Sequence, residues 1–218
     1  MAEYNYPDDG KLHTRLSELS QCSALGAREV AMRRLGLKPG FASRPMIFGQ
    51  ERHKFHAEES EKTRRLPKCF TDRFPELAEI ELDLVEQEMA SEIFPNLVLH
   101  STADGISLGQ KIIVDHKNLF VKKEEESNLE AIFADRRRKY AKSKQGFVYA
   151  YQVLILYKIK IEEVIFTFEA WDEDMKKILG YGKPLVLPVT YNDIMGARQA
   201  LKQPASFLKV AMDSVRKT

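Results

Sequence analysis

Two short apolar runs near the middle of the chain constrain its fold more than any other feature of the sequence. Residues 96–100 (Asn-Leu-Val-Leu-His) and 111–115 (Lys-Ile-Ile-Val-Asp) are rich in β-forming side chains, and they flank the turn-forming segment 107–109. Two such runs on either side of a turn predict a β-hairpin. Because helical patterns and further strands surround this hairpin, the sequence predicts a mixed α/β fold with a central sheet.

On the N-terminal side of the hairpin, apolar residues recur at helical spacing. The sequence predicts a helix over 17–35, a second helix that starts near Gly49 and carries His53 and His56, and an acidic amphipathic helix over 76–93. The negative charges of this third helix are expected to face the solvent.

On the C-terminal side, the sequence predicts an exposed charged loop over 122–126 and a long helix over 129–159. Two strands near 164–168 and 185–189 follow, and the chain ends in helices that break at Pro204.

Length and composition fit one domain that spans residues 1–218, with 44% hydrophobic and 30% charged residues. Within it we expect a mainly helical part over 1–95, a sheet core over 96–190 and C-terminal helices over 191–218. A formal net charge of +2 does not by itself indicate nucleic-acid binding. No apolar run approaches the roughly 20 residues of a membrane span, so no membrane attachment is expected.

The N-terminus and the cysteines predict the cellular location. Residues 1–10 lack the basic and apolar regions of a secretory signal. Cys22 and Cys69 lie far apart and form no Cys-x-x-Cys pair, which excludes a disulfide-rich scaffold. We therefore expect an intracellular, cytoplasmic protein.

The hairpin also carries the residues that predict chemistry. Asp104 follows the first strand, and Asp115 and Lys117 lie at the end of the second. Residues two apart in a strand face the same side, and the hairpin can bring Asp104 beside them. Carboxylates can hold a divalent cation that activates a water, and a lysine can stabilise charge on a phosphate. An Asp–Lys pair that merely decorates an exposed strand end is the alternative.

Several motifs occur in a fixed order around this hairpin: LSELSQCSALGAREV with Cys22, then Gly49-Gln-Glu-Arg-His53, then Asp104, then Asp115-x-Lys117, then a Gln-x-x-x-Tyr element. In this order and spacing the sequence resembles the RecB-like branch of the PD-(D/E)XK nuclease superfamily, which includes the CRISPR-associated RecB-like exonucleases. The resemblance covers residues 17–160. It implies a restriction-endonuclease-like core, in which helices flank a central mixed β-sheet, with a helical N-terminal segment.

The resemblance also implies the roles of individual residues. The implied metal ligands are His53, Asp104, Asp115 and the backbone carbonyl of His116. The implied catalytic residues are Lys117, Asp104 and Asp115. A neutral imidazole beside carboxylates suits Mn²⁺ better than Mg²⁺, and either ion is expected as the cofactor. An isolated helix histidine is otherwise an ordinary, partly buried residue.

The Gln-x-x-x-Tyr element has two candidate frames. Gln145 and Tyr149 have the required spacing, whereas Gln152 and Tyr157 are one residue too far apart. Helical spacing places residues 145, 149 and 152 on one face. The resemblance implies that this face orients the site and contacts nucleic acid. Ordinary packing of an amphipathic helix is the alternative.

A basic run lies just upstream, and it comprises Arg136, Arg137, Arg138 and Lys139. Beside a phosphodiesterase site such a run is expected to contact the nucleic-acid backbone. A solvated helix face is the alternative. Tyr140 and Phe147 add aromatic rings, and Phe147 is expected to pack in the core.

Cys22 and His56 each match one position of a metal-binding pattern that the rest of the sequence does not complete. Many CRISPR-associated relatives hold an iron–sulfur cluster with one cysteine before the nuclease core and three after it. Cys22 lies near the first position, but no cysteine occurs from residue 170 onward, so no iron–sulfur cluster is expected. His56 lies three residues after His53, but no further Cys or His completes a zinc site. We expect His56 at the surface or in support of a ligand.

These features together predict a metal-dependent DNA nuclease, and the resemblance implies an exonuclease that acts on single-stranded or end-bearing DNA. Recombination, repair, and viral or CRISPR-type DNA processing are compatible roles. A noncatalytic nucleic-acid-binding or assembly module on the same fold is a second hypothesis, since a fold can outlast its activity. An unrelated α/β protein is a third, and it requires His53 and Asp115 to lie far apart. The sequence does not indicate an oligomeric state.

Overall fold

A six-stranded mixed sheet forms the centre of the computed structural model, which describes residues 9–23, 26–35, 37 and 43–215. The strands are β1 (Leu12–Arg15), β2 (Leu84–Phe94), β3 (Leu97–Ser107), β4 (Ile112–Val121), β5 (Glu163–Asp172) and β6 (Ile178–Pro188). Their order is β1-β3-β4-β5-β6, and β2 pairs with β3 on its other edge. The β1–β3 and β4–β5 pairs are parallel, and the other pairs are antiparallel.

Helices cover both faces of this sheet. They are α1 (Leu16–Leu19), α2 (Gly26–Arg34), α3 (Arg44–Thr63), α4 (Lys68–Thr71), α5 (Leu129–Lys142), α6 (Gln145–Tyr157), α7 (Tyr191–Ala200) and α8 (Lys202–Val215), with short 3₁₀ helices at Pro75–Leu77 and Lys123–Asn128. The larger apolar core includes residues of α2, α6, α7 and α8, and a smaller one lies around Phe70 of α4. None of the helices among these described residues is long and apolar enough to cross a membrane.

The predicted β3–β4 hairpin is confirmed, and its turn is held by a side chain. The carboxylate of Asp83 accepts hydrogen bonds from the backbone N–H groups of Leu108 (2.6 Å) and Gly109 (3.2 Å). The two strands nevertheless pair over only three residues each, from Gly105 to Ser107 on β3 and from Ile112 to Val114 on β4.

The helix predicted over 76–93 is wrong, because residues 84–94 form strand β2. Met89, Ser91 and Ile93 are buried and alternate with exposed residues, which is the period of a strand. Met89 and Ile93 are four apart, so their spacing also fits a helix. A tight turn at Asn96, with φ of 62°, folds β2 against β3. The pairing with β3 makes this segment a strand rather than a helix. The segment 1–95 is therefore less helical than predicted, since it contributes β1 and β2.

Three helix predictions also need correction. The helix predicted over 129–159 is two helices, because the extended backbone of Ser143 separates α5 from α6. The helix predicted over 17–35 is interrupted after Leu19, and residues 24–25 of it lie outside the described residues. Pro204 lies in the first turn of α8, where proline is tolerated, and the chain breaks at Leu201 instead.

The helix predicted to start near Gly49 begins five residues earlier. The side chain of Ser43 caps the first turn of α3 by accepting from the N–H of Met46 (3.4 Å), and Pro45 follows in that turn. Arg64, in left-handed conformation, ends the helix. The predicted strands 164–168 and 185–189 are confirmed as parts of β5 and β6, although Val189 lies just beyond β6. Segment 122–126 is largely exposed but includes part of a 3₁₀ helix.

Two glycines test how tightly the helices pack. A Cβ at Gly146 of α6 would lie 2.6 Å from Cγ1 of the fully buried Val164, whereas a Cβ at Gly196 of α7 would meet open space. We predict that Gly146→Ala lowers the free energy of unfolding by about 1–3 kcal/mol through overpacking. Gly196→Ala should raise it by about 0.5–1 kcal/mol, because alanine favours a helix interior. Urea unfolding of both variants checks this, and equal effects would contradict the packing described.

Candidate active site

The centre of the candidate site is a gap between β3 and β4. Their pairing ends at Gly105 and Val114, so Asp104 and Asp115 lie on strands that separate at this point. On the same edge of β3, residues 97–100 pair with β1, and 101–104 have no partner strand on that side among the described residues. Asp104 and Asp115 are both buried in this gap. The prediction that the hairpin brings the two carboxylates together is thus supported by the strand geometry.

The freed backbone of His116 contacts one of these carboxylates directly. Its N–H donates to Oδ2 of Asp104 instead of to a strand carbonyl. The N–H and C=O of one strand residue point to the same side, since paired residues exchange both bonds. We therefore infer that the His116 carbonyl also faces the gap, as the resemblance implies.

His53 reaches the gap from the middle of α3. Its Nδ1 lies 2.8 Å from Oδ1 of Asp104. Burial alone would lower the pKa of His53, but the charge and hydrogen bond of Asp104 outweigh it and raise the pKa, and Asp115 adds to this effect. The pKa of Asp104 is lowered, because His53 overcomes the opposing effect of burial. The hypothesis of an unrelated protein, which requires His53 far from Asp115, is not supported.

Lys117 lies on the same face of β4 as Asp115, as the strand period predicts. Its Nζ forms an ion pair with Oδ2 of Asp115 and lies 5.3 Å from the ring centre of Tyr140. Burial opposes a charged lysine here, but Asp115 outweighs it and raises the pKa of Lys117. Burial also raises the pKa of Asp115 to about 6, with Lys117 acting in the opposite direction. Lys117 is therefore a protonated donor at the edge of the gap.

Glu86 is a site residue that the sequence analysis missed. It lies on β2 between Val85, which pairs with Gly105, and Gln87, which pairs with Ala103, and so it is opposite Asp104. Burial, followed by the charge of Asp104, raises the pKa of Glu86 to about 7. No motif spacing identifies this residue. Recognition of β2 as a strand would have placed it beside Asp104 by register.

The residues in the gap fit a divalent cation. His53, Glu86 and Asp104 each offer one ligand atom, and these three atoms lie within 4.8 Å of one another. Ligand atoms around one cation, each about 2.0–2.2 Å from it, are separated by at most about 4.4 Å, so a small closure suffices. A donor set of one imidazole nitrogen and several carboxylate oxygens suits Mn²⁺ and also admits Mg²⁺.

A second cluster of possible ligands has a different character. His56, Cys69 and Glu169 also offer ligand atoms within 4.8 Å of one another. The guanidinium of Arg52, however, binds both oxygens of Glu169 at 3.0 and 3.1 Å, and the indole N–H of Trp171 donates to it at 2.8 Å. The carboxylate of Glu169 is therefore already neutralised by the guanidinium of Arg52. His56 is 1% exposed, so the expectation of a surface residue is corrected, and its ring packs against that of His116.

The two frames of the Gln-x-x-x-Tyr element have different environments. The side-chain amide of Gln145 donates to the phenol of Tyr149 at 2.6 Å. Burial, together with nearby Asp115, raises the pKa of Tyr149, so this pair lies beside the gap. Gln152 is fully buried and donates to the carbonyls of Leu99 (2.9 Å) and Met89 (3.3 Å). Gln152 thus anchors α6 to the sheet, and its position does not support a contact with nucleic acid.

The basic run divides between two faces of α5. Arg136 and Arg137 are half-buried and lie one turn before Tyr140, whose ring contacts Lys117. Arg138 and Lys139 are exposed, and Arg138 pairs with Asp135 at 3.3 Å. Arg136 and Arg137 are therefore the members of the run that lie on the side of the candidate site. Phe147 is buried in the core, as predicted.

Three solved structures share this fold. A protein described as an exonuclease from Eubacterium rectale is 13% identical, with a TM-score of 0.55 over 98% of this chain and 86% of that one. A phage-related exonuclease from Haemophilus somnus 129PT is 12% identical, with a TM-score of 0.56 over 95% and 96%. An alkaline exonuclease from Laribacter hongkongensis is 9% identical, with a TM-score of 0.51 over 94% and 92%.

The restriction-endonuclease-like fold is confirmed. Sequence identities this low show the fold alone, and the RecB-like branch stays a prediction. No protein-family model matches the sequence, and no curated protein matches it.

The Arg52–Glu169 pair predicts an acid-dependent loss of stability. Burial alone would raise the pKa of Glu169, but hydrogen bonds from His56, Arg52 and Trp171 lower it to about 2, from an ordinary value of 4.5. The ionised carboxylate therefore stabilises the fold above pH 4.5, and this contribution is lost as the pH falls toward 2. Glu169→Gln should cost about 3–5 kcal/mol at neutral pH, because it leaves the half-buried guanidinium of Arg52 without its partner.

Thermal unfolding between pH 7 and pH 2 measures this effect. We expect the difference in melting temperature between the wild type and Glu169→Gln to narrow as the pH falls below 4.5. Glu173→Gln, at an exposed position on the turn after β5, is the matched control and should follow the wild type. Parallel curves for the wild type and Glu169→Gln would show that Glu169 is not held ionised by this network.

Proposed function

We propose that this protein is a metal-dependent deoxyribonuclease, and specifically an exonuclease that acts on single-stranded or end-bearing DNA. The observation that carries the proposal is the convergence of His53, Asp104, Asp115 and Lys117 at the gap between β3 and β4. The fold that holds this gap is also the fold of proteins described as exonucleases. The proposed cofactor is Mn²⁺ or Mg²⁺, bound by His53, Asp104, Asp115 and the carbonyl of His116.

The arrangement fits the hydrolysis of a phosphodiester. A divalent cation in the gap would neutralise charge on the phosphate and lower the pKa of a water. The water oxygen forms a bond to phosphorus, the bond from phosphorus to the 3′-oxygen breaks, and the leaving oxygen takes a proton. The ammonium of Lys117 stabilises the negative charge that grows on the phosphate oxygens, and Asp115 holds it in place. The ring of Tyr140, whose centre lies 5.3 Å from the Nζ of Lys117, also stabilises the ammonium.

The surrounding helices supply the proposed contacts with DNA. Gln145 and Tyr149 lie at the start of α6 beside the acids, where they can orient the site. Arg136 and Arg137 lie on the α5 face nearest Lys117, where they can neutralise backbone phosphates. Arg138 and Lys139 extend this charge along the exposed side of the helix. Contacts of this kind make the affinity for DNA fall as the salt concentration rises.

Degradation of end-labelled DNA tests the proposal. With Mn²⁺ or Mg²⁺, the wild type should shorten linear single- or double-stranded DNA from its ends, and EDTA should stop it. Lys117→Ala should slow the reaction by at least about 100-fold, because it removes the charge that stabilises the transition state. Lys111→Ala, at an exposed lysine of the same hairpin that pairs with Glu162, should stay within about twofold of the wild type.

Three outcomes would contradict the proposal in different ways. Undiminished activity in Lys117→Ala would place the reaction elsewhere in the protein. Cleavage of closed circular DNA would replace the exonuclease with an endonuclease. Salt-sensitive binding of DNA without cleavage would favour a noncatalytic nucleic-acid-binding module on this fold.

A further inference from the structure

Glu86 adds a third carboxylate to a site that already holds Asp104 and Asp115. Its position opposite Asp104 puts two acids face to face across the β2–β3 pair. No ion pair joins Glu86 to a lysine or arginine within the part of the chain that the structure describes. Two ionised carboxylates at such short range repel each other, and a cation between them removes this repulsion.

The backbone conformation of Glu86 is a second observation that sets this residue apart. Its φ is 44°, in the left-handed region. The other described residues with this conformation, apart from glycine, end helices or lie in turns: Arg64, Asn96, Lys111, Lys158 and Met175. Glu86 lies inside a strand, where such a backbone is strained for a residue other than glycine. Repulsion between carboxylates and backbone strain therefore coincide at Glu86, and Glu86 faces the candidate cation site.

We propose that Glu86 is a direct ligand of the divalent cation and that it holds the ion together with His53 and Asp104. This inference rests on the proposed metal-dependent function, and it adds a residue that neither the motif order nor the resemblance supplies. Ligand atoms of the three residues already lie within 4.8 Å of one another, whereas Asp115 pairs with Lys117 on the other side of the gap. The three acids and Lys117, when ionised, carry a net charge of −2, which one divalent cation neutralises.

Calorimetric titration of the metal-free protein with Mn²⁺ at pH 8 tests the assignment. Glu86→Gln should weaken Mn²⁺ binding by at least about tenfold, the range seen when a ligand or its support is lost. Glu88→Gln is the matched control, because Glu88 lies on the same strand, is exposed and contacts His100 rather than the gap. Its affinity for Mn²⁺ should stay within about twofold of the wild type.

A second variant keeps the test independent of folding. Glycine adopts a φ of 44° without strain, so Glu86→Gly removes the carboxylate and relieves the backbone at once. We expect metal-free Glu86→Gly to melt at or above the temperature of the metal-free wild type. The rise in melting temperature that Mn²⁺ produces in the wild type should be reduced or absent in the variant.

The outcomes separate this inference from the proposed function. If the wild type degrades DNA and both Glu86 variants bind Mn²⁺ as tightly as the wild type, Glu86 is not a ligand and only this inference fails. If the wild type binds Mn²⁺ through Glu86 but does not degrade DNA, the ligand assignment stands and the nuclease proposal fails. If the wild type binds neither Mn²⁺ nor Mg²⁺, both fail.

Discussion

The separation of β3 from β4 after Gly105 and Val114 is the feature on which the rest of the site depends. Continued pairing would bury the backbone of His116 in a ladder and leave no space between the two acids. Because the strands part, the N–H of His116 binds Asp104, and α3 can insert His53 from above the gap. The sheet thus provides both the rigid support and the opening that the proposed cation needs.

An ion pair with β5 anchors the helix that delivers His53. Arg52 and His53 are neighbours on α3, and Arg52 binds Glu169 of β5 with both of its oxygens engaged. The molecule therefore contains two clusters of acids and histidines that are balanced in different ways. Around Glu169 the protein supplies its own cation through Arg52, so the cluster contributes to stability. Around Asp104 the protein's own charges leave an excess of negative charge, which suits an ion from outside.

The hairpin and its Asp-x-Lys pair could be predicted because a period of two fixes which side chains share a face. Strand β2 could not, because Met89 and Ile93 fit a helix and a strand equally well and only the pairing with β3 decides. Glu86 was lost with that strand, since its role follows from register rather than from any motif. Gln152 is the opposite case, in which a motif suggested a role that the structure does not support. Its spacing indicated a contact with nucleic acid, but its buried amide binds backbone carbonyls and so has a structural role.

Anomalous diffraction from crystals soaked in Mn²⁺ tests the central claim most directly, since it locates the ion without reference to activity. We predict a peak in the gap between β3 and β4, within about 2.5 Å of a carboxylate oxygen of Asp104 and of Nδ1 of His53. A peak between His56, Cys69 and Glu169, or no peak beside Asp104, would contradict the claim that the parted strands form the cation site.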